Sequence, residues 1–193
     1  YSVESAYDGD ANYFREAVAD YLKGWCEEYF DNRNALYTEG LKIYTTIDTR
    51  MQKYAEEAAR KQMRQVQNNF NSHWGSTNPW QDERHQEIPH FIEDIAKRQP
   101  VYKYLTKKFN GNQDSIDYYL NLPHTVKVFD YDGGKIEKTM STMDSIRYMV
   151  HYMHCGFVAL EAETGHVKAW VGDIDFNTWK YDKVTAMRQP GST

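Results

Sequence analysis

Apolar residues recur every three or four positions in several stretches of the chain, which is the spacing of one face of an amphipathic helix. One such stretch runs from Ala11 to about residue 30. Another follows Asp48, a residue type favoured at helix N-caps, and continues to Phe70. A later helix follows Ser141, whose spacing to Asp144 resembles a capping box. Between them, shorter helices are predicted at residues 88–96, 100–108 and 114–120.

Alternating and β-branched segments predict strands. Residues 40–47 are typical of a single strand, and residues 125–131 and 135–140 indicate a hairpin around the DGG turn at 132–134. Residues 156–162 and 166–172 indicate a second hairpin. The order helix, strand, helix, helical insert, hairpin, helix, hairpin predicts an α+β fold, a small mixed domain of helices and antiparallel strands.

We expect three parts along the chain. Residues 1–10 form a polar lead-in, residues 11–155 form one domain with an insert at about 71–123, and residues 156–193 begin a further domain with a hairpin. Residues 68–86, rich in Asn, Ser and charge, predict a long irregular loop.

The apolar run Phe157–Leu160 does not alternate, so this strand should be covered on both faces. Residues 173–193 contain no element able to cover it. We therefore expect a chain cut short at its C-terminus, with an exposed sheet face that favours self-association and with disorder near residue 192.

Composition and charge narrow the possible functions. The hydrophobic share of 40% includes 16 tyrosines. If tyrosine is left out and the 11 glycines are counted instead, the apolar share is roughly 37%, below the ~45–50% of an ordinary globular chain. A net charge of −5 argues against nucleic acid as a partner. No apolar run approaches the ~20 residues that cross a bilayer, so no membrane contact is expected of this segment.

Cys26 and Cys155 could be two small buried apolar residues or a disulfide.

Histidines offer one possible site. His151 and His154 are three positions apart on a predicted helix, beside Cys155, and histidines at this spacing can share a metal ion. Cys155 points elsewhere on that helix, so packing or surface roles are favoured. Three further histidines lack regular ligand spacing: His73, His85 and His90. No metal and no cofactor is predicted.

The last six residues, RQPGST at 188–193, hold the most informative candidate for chemistry, Ser192. A serine after Pro-Gly could open a helix, and a lysine three positions later would lie one turn away on the same face. Such a lysine can accept the hydroxyl proton, as in the S-x-x-K arrangement of acyl-serine enzymes that recognise penicillin. The lysine position is not in this sequence, and these six residues alone favour an ordinary polar tail.

Three segments resemble the class A penicillin-binding proteins, the bifunctional peptidoglycan synthases of bacterial envelopes. Residues 36–52, LYTEGLKIYTTIDTRMQ, are similar to the stretch that links the glycosyltransferase to the transpeptidase. Residues 156–172, GFVALEAETGHVKAWVG, resemble the opening hairpin of the transpeptidase domain, and residues 188–192 resemble the family's approach to its nucleophile. The resemblance covers roughly residues 11–66 and 125–193. Residues 67–124 match no part of the family that we can place, and this aromatic-rich insert resembles versions from Bacteroides-like bacteria.

The resemblance implies that Ser192 matches the acylated serine. That serine would attack the penultimate D-Ala carbonyl of a stem pentapeptide, release the terminal D-Ala and pass the acyl group to an amine of a neighbouring stem; β-lactams would trap it. The remaining transpeptidase and glycosyltransferase motifs lie outside this sequence. The segment itself should therefore be non-catalytic, linking and orienting two catalytic domains of a membrane-anchored parent on the periplasmic face of the cytoplasmic membrane.

A different class of function is a stand-alone module of the cell envelope, docking onto a protein or peptidoglycan through the insert at 71–123, because Trp and Tyr favour interfaces. A third class is a metal-dependent hydrolase that uses the scattered histidines. A reading frame that continues into S-x-x-K favours the synthase, and a stop codon favours the module. Less than stoichiometric zinc in purified protein would remove the hydrolase.

Overall fold

The computed structural model describes residues 9–185, and the chain divides into two compact units. Unit 1 consists of Tyr1–Met63 and His154–Thr193, and unit 2 consists of Arg64–Met153. Both units combine helices with a two-stranded antiparallel sheet, which confirms the predicted α+β fold. The elements in chain order are α1 (Asn12–Phe30), α2 (Ala35–Thr38), α3 (Thr49–Trp74), α4 (Phe91–Arg98), α5 (Pro100–Lys108), α6 (Gln113–Asn121), β1 (His124–Asp130), β2 (Gly134–Met140), α7 (Thr142–Val150), β3 (Phe157–Leu160) and β4 (Val167–Val171).

Unit 1 contains the hairpin of β3 and β4, as predicted. Phe157 pairs with Val171, and a register shift between Ala159 and Leu160 interrupts the ladder. Helix α1 packs against β4, in which Ala169 and Val171 are buried. The Phe14 ring of α1 lies 6.0 Å from the Trp170 ring, so β4 is packed where the following residues begin.

Strand β3 is partly exposed among the residues described, so the cover on both faces that its apolar run favours is not seen there. Phe157 is 47% exposed, Val158 38% and Leu160 59%. An unbroken apolar run indicates that a strand can be buried on both faces, but it does not identify the element that covers it. The expected exposed apolar face is present. Self-association through it stays a prediction, and the expected disorder near residue 192 falls outside the described residues.

The strand predicted at residues 40–47 is also absent. Ile43 and Tyr44 are 48% and 89% exposed, and this stretch forms neither a helix nor a strand ladder. At the end of this stretch, Thr46 Oγ1 donates to the Val167 carbonyl at 2.9 Å. Just after it, the Asp48 N–H donates to the Lys168 carbonyl at 3.0 Å. Alternation favours a strand only where a partner strand completes the hydrogen bonds, and these two contacts with β4 do not make a ladder. The short helix α2 before it was not predicted.

Unit 2 packs its helices around one apolar core. The three short helices, the hairpin of β1 and β2, and α7 lie close to their predicted positions. Ser141 caps α7: its hydroxyl accepts from the Asp144 N–H at 3.0 Å and donates to the Asp144 carboxylate at 2.7 Å. The buried core residues are Trp80, Ile92, Ala96, Leu105, Ile116, Leu120, Met143 and Ile146.

Helix α3 extends farther than predicted, through Trp74 into the supposed loop. Side-chain hydrogen bonds support this last part: Gln67 Nε2 donates to Asn71 Oδ1 at 2.9 Å, and Ser72 Oγ donates to the Asn68 carbonyl at 2.9 Å. Contacts between residues four apart stabilise a helix even where Asn and Ser have low helix propensity. None of the helices within residues 9–185 is long and apolar enough to cross a membrane.

Candidate functional site

The turn after β4 in unit 1 contains a buried carboxylate. The Asp173 side chain has no exposed surface, and its Oδ2 lies 2.8 Å from His154 Nδ1 and 3.8 Å from Lys183 Nζ. Its Oδ1 accepts from the Ile174 N–H at 2.8 Å. The imidazole Nδ1 must donate here, because a carboxylate only accepts. A buried charge is stable only with such partners, so this cluster ties the residues after β4 to His154 and Lys183.

An aromatic contact holds the same region against α1. The Tyr13 hydroxyl donates to the Trp179 carbonyl at 2.5 Å, and its ring meets Phe176 edge-on at 4.8 Å. Burial, reinforced by the charge of Asp173, raises the pKa of Tyr13, which stays a neutral donor. Gly172 lies so close that a Cβ there would be 2.5 Å from the Tyr13 ring. The position therefore requires glycine.

We call residues 172–185 the approach segment. Hydrogen bonds join this segment to β4. The Trp170 indole N–H donates to Asp182 Oδ2 at 2.8 Å, and Asp182 Oδ1 accepts from the Val184 N–H at 2.9 Å. The Lys183 N–H also donates to the Gly172 carbonyl at 2.8 Å. In the sequence, this segment directly precedes the residues that resemble the approach to a nucleophile.

Gln52 of α3 completes the support of β4. It is 1% exposed, and its side-chain amide bonds both backbone groups of Trp170: Oε1 accepts from the N–H at 2.7 Å and Nε2 donates to the carbonyl at 2.9 Å. A glutamine side chain thus replaces a neighbouring strand at this residue. Nothing local in the sequence indicated this role, because its partner lies 118 positions away.

The predicted site residues have different outcomes. Ser192 lies outside the described residues, so its role stays a prediction. His151 Nδ1 lies 2.7 Å from the Arg147 carbonyl and its ring packs edge-on against Trp80, whereas His154 bonds Asp173. The other candidate histidines lie elsewhere in the chain: His73 is in α3, and His85 and His90 are residues with positive φ. In the part of the chain that is described, no three His, Cys, Asp or Glu side chains group as metal ligands.

Both cysteines are free thiols, so the alternative of a disulfide is not realised. Cys26 is fully buried and Cys155 is partly buried. Burial, with a smaller effect of the Asp173 charge, raises the pKa of Cys155 to about 11.

We expect Cys155 to react slowly with iodoacetamide. With a pKa of about 11, only roughly one thiol in a thousand is ionised at pH 8, and the thiolate is the nucleophile. Mass spectrometry over time should show alkylation at least ~100-fold slower than in the same protein unfolded in urea. Equal rates in folded and unfolded protein would contradict this environment for Cys155.

Unit 2 carries an exposed group of aromatic rings on α5, α6 and the turn between them, which we call the insert aromatic cluster. Tyr104 is 60% exposed and Tyr118 64%, and Phe109 stacks on Tyr119 with centroids 4.9 Å apart. Lys108 Nζ lies 5.3 to 5.8 Å from three of these rings. Exposed rings of this kind are typical of interaction surfaces.

Comparison with known proteins finds similarity to penicillin-binding proteins. Residues 75–153 match the family model of the penicillin-binding protein middle domain. Penicillin-binding protein 1A of Neisseria flavescens is 28% identical over 180 residues, covering 81% of this chain and 22% of the relative. The same protein of Neisseria lactamica is 28% identical over 209 residues, covering 96% of this chain and 25% of the relative. That of Rickettsia bellii is 25% identical over 209 residues, covering 94% of this chain and 24% of the relative. Over most of its length the chain is similar to the penicillin-binding protein 1A of these bacteria.

This relationship confirms the resemblance drawn from residues 36–52, 156–172 and 188–192. The chain spans about a quarter of the length of these relatives. No solved structure matches it significantly. The likeness of the insert to Bacteroides-like versions stays a prediction, since the relatives named come from Neisseria and Rickettsia.

One sequence interpretation is wrong. Residues 67–124 were assigned no counterpart in the penicillin-binding proteins, but the middle-domain match runs across residues 75–153 and includes most of them. The same range contains the buried core of unit 2, from Trp80 to Ile146. Apart from Trp80, these core residues are apolar positions spaced along four helices, and such a pattern contains no short motif that the sequence alone would indicate.

Proposed function

We propose that this chain is the non-catalytic linker region of a peptidoglycan synthase, placed between a glycosyltransferase and a D,D-transpeptidase, and that it ends at the transpeptidase nucleophile. The match of residues 75–153 to a penicillin-binding protein middle domain carries this proposal. The parent protein would be membrane-anchored, with this region on the periplasmic face of the cytoplasmic membrane.

The transpeptidase step assigned to the parent uses Ser192. Its hydroxyl oxygen bonds to the penultimate D-Ala carbonyl carbon of a stem peptide, and its proton goes to a lysine three residues later. The bond from that carbonyl to the terminal D-Ala then breaks, and the lysine passes the proton to the departing nitrogen, so that D-Ala leaves as an amine. An amine of a second stem then displaces the serine and forms the cross-link. Hairpin β3–β4 and the approach segment support this assignment, because their packing gives a fixed start to the residues that lead to Ser192.

A fluorescent penicillin tests the proposal on a chain extended past Thr193 by the sequence that follows in its gene. We expect covalent labelling of the extended chain, complete loss of label in Ser192→Ala, and unchanged labelling in Ser72→Ala, an exposed serine of α3. The 193-residue chain should stay unlabelled because it lacks the lysine. A folded extended chain without label, or label that persists in Ser192→Ala, would overturn the proposal.

A second candidate is a cell-envelope module that docks through the insert aromatic cluster, because three of its rings, Tyr104, Tyr118 and Tyr119, are exposed. The reading frame after Thr193 separates the two functions. A lysine three positions after Ser192, followed by a long open frame, supports the synthase. A stop codon directly after Thr193 supports the docking module.

A further inference from the structure

Unit 2 contains a polar cleft of about 540 Å³ that the proposed function does not use. Its walls are the last part of α3, the turn between β1 and β2, and α7 with the residues just after it. The volume lies in the range of about 300–1,000 Å³ typical of sites for small ligands. We call it the unit 2 cleft.

Aromatic rings on one wall of the cleft are fixed in place. The hydroxyls of Tyr148 and Tyr152 both donate to the Phe129 carbonyl, at 3.0 and 2.9 Å, and lie 2.9 Å from each other. The Tyr131 ring, also in the lining, lies 5.9 Å from the Tyr152 ring. Because bonds to one carbonyl already hold the first two rings, a ligand that contacts them costs little additional side-chain entropy.

A buried glutamine sets the distance between the walls. Gln67 of α3 is 4% exposed; its Nε2 donates to the His151 carbonyl at 2.9 Å, and its Oε1 accepts from the Met153 N–H at 2.8 Å. These bonds join α3 to the chain after α7. The cleft is therefore a built feature of unit 2 rather than a gap between loose elements.

The rest of the lining supplies donors and acceptors with balanced charge. Arg64 forms an ion pair with Asp132, and Arg147 with Asp144 at 2.9 Å, so a carboxylate balances the charge of each guanidinium. Within residues 9–185, the Asn68 side chain has no hydrogen-bond partner; it can donate two bonds and accept two. Such a lining favours a neutral ligand whose groups both donate and accept.

We propose that the unit 2 cleft binds a neutral saccharide. Each sugar hydroxyl donates and accepts, which matches the asparagine and the paired arginines and aspartates. The C–H faces of a sugar ring are apolar and fit against the fixed tyrosine rings. A strongly charged ligand would meet no net opposite charge in this lining, whereas a polyhydroxylated ring needs none. This inference does not depend on the proposed function or on Ser192.

Titration of the 193-residue chain with N,N′,N″-triacetylchitotriose, cellotriose and maltotriose tests the proposal, followed by amide chemical shifts. We expect at least one trisaccharide to bind at millimolar or lower concentration, with shifts confined to the cleft. Asn68→Ala should weaken binding about fivefold, the effect of losing one hydrogen bond, without changing the Tm. Asn69→Ala, an exposed neighbour that does not line the cleft, should bind like the unchanged chain.

Three results would overturn the proposal. None of the three sugars binds at up to ~10 mM, a range that covers weak single-site affinity. Binding shifts the amides of the insert aromatic cluster instead of the cleft, or Asn68→Ala and Asn69→Ala bind equally. Inorganic phosphate, used as a probe in the same titration, binds the cleft better than the sugars and so assigns it to anions.

Discussion

Replacing Asp173 by alanine is expected to lower the free energy of unfolding of unit 1 by about 3–5 kcal/mol, the usual loss when one partner of a buried ion pair is removed. The Asp173 carboxylate is fully buried and meets the Lys183 ammonium, the His154 imidazole and a backbone N–H. Alanine would leave Lys183, whose side chain is only 14% exposed, without its carboxylate, and would free the approach segment from His154. Native-state amide exchange of Ala169 and Val171 in β4 measures this change.

Two variants show whether the loss comes from the buried charge. Asp173→Asn keeps the size and can still accept from the Ile174 N–H, so it should lose less than Asp173→Ala. Asp20→Ala removes an aspartate of the same unit whose side chain is 75% exposed in its pair with Lys23, and should change stability by less than ~1 kcal/mol. If Asp173→Ala cost no more than Asp20→Ala, the buried cluster would not hold the approach segment.

Replacing Gln52 by leucine should destabilise unit 1 by about 2–4 kcal/mol, since a buried polar group left without a partner costs about 1–3 kcal/mol and Trp170 would lose two partners. Leucine has a similar size but can neither accept from the Trp170 N–H nor donate to its carbonyl. Exchange of the Trp170 amide should accelerate more than that of any amide in α1. Measurement by hydrogen exchange and by the urea midpoint checks both parts.

Gln62 provides the matched control, because it is an exposed glutamine of the same helix and the same unit. Gln62→Leu should leave the Trp170 amide unchanged and shift stability by no more than ~0.5 kcal/mol, as is usual for surface substitutions. Equal effects of Gln52→Leu and Gln62→Leu would mean that the side-chain amide of Gln52 contributes nothing to β4.

Local chemistry made part of the fold predictable from the sequence. The caps at Asp48 and Ser141 and the proline that opens α5 act within four residues, and each is present where predicted. Asp48 Oδ1 accepts from the N–H groups of Arg50 and Met51 at 2.9 and 3.1 Å, which lowers its pKa. Sequence signals that act over so few residues can be recognised without knowing which distant residues the chain contacts.

Long-range contacts made the rest unpredictable. Residues 40–47 carry the alternation of a strand, but only β4 could have completed a ladder, and it makes just two contacts there. Gln52 and Asp173 look like ordinary polar residues in the sequence, and their roles depend on Trp170 and on His154 and Lys183. The candidate nucleophile was indicated by resemblance, whereas the cluster before it required the structure.

Mapping the penicillin adduct by tandem mass spectrometry tests the central claim most directly. The extended chain would be treated with benzylpenicillin, digested and searched for a penicilloyl group. We expect one acylated residue, Ser192, in the peptide that contains RQPGST, and no adduct in the 193-residue chain. An adduct on another residue of the extended chain, or none in a folded extended chain, would contradict the assignment of this segment as the linker that leads to the nucleophile.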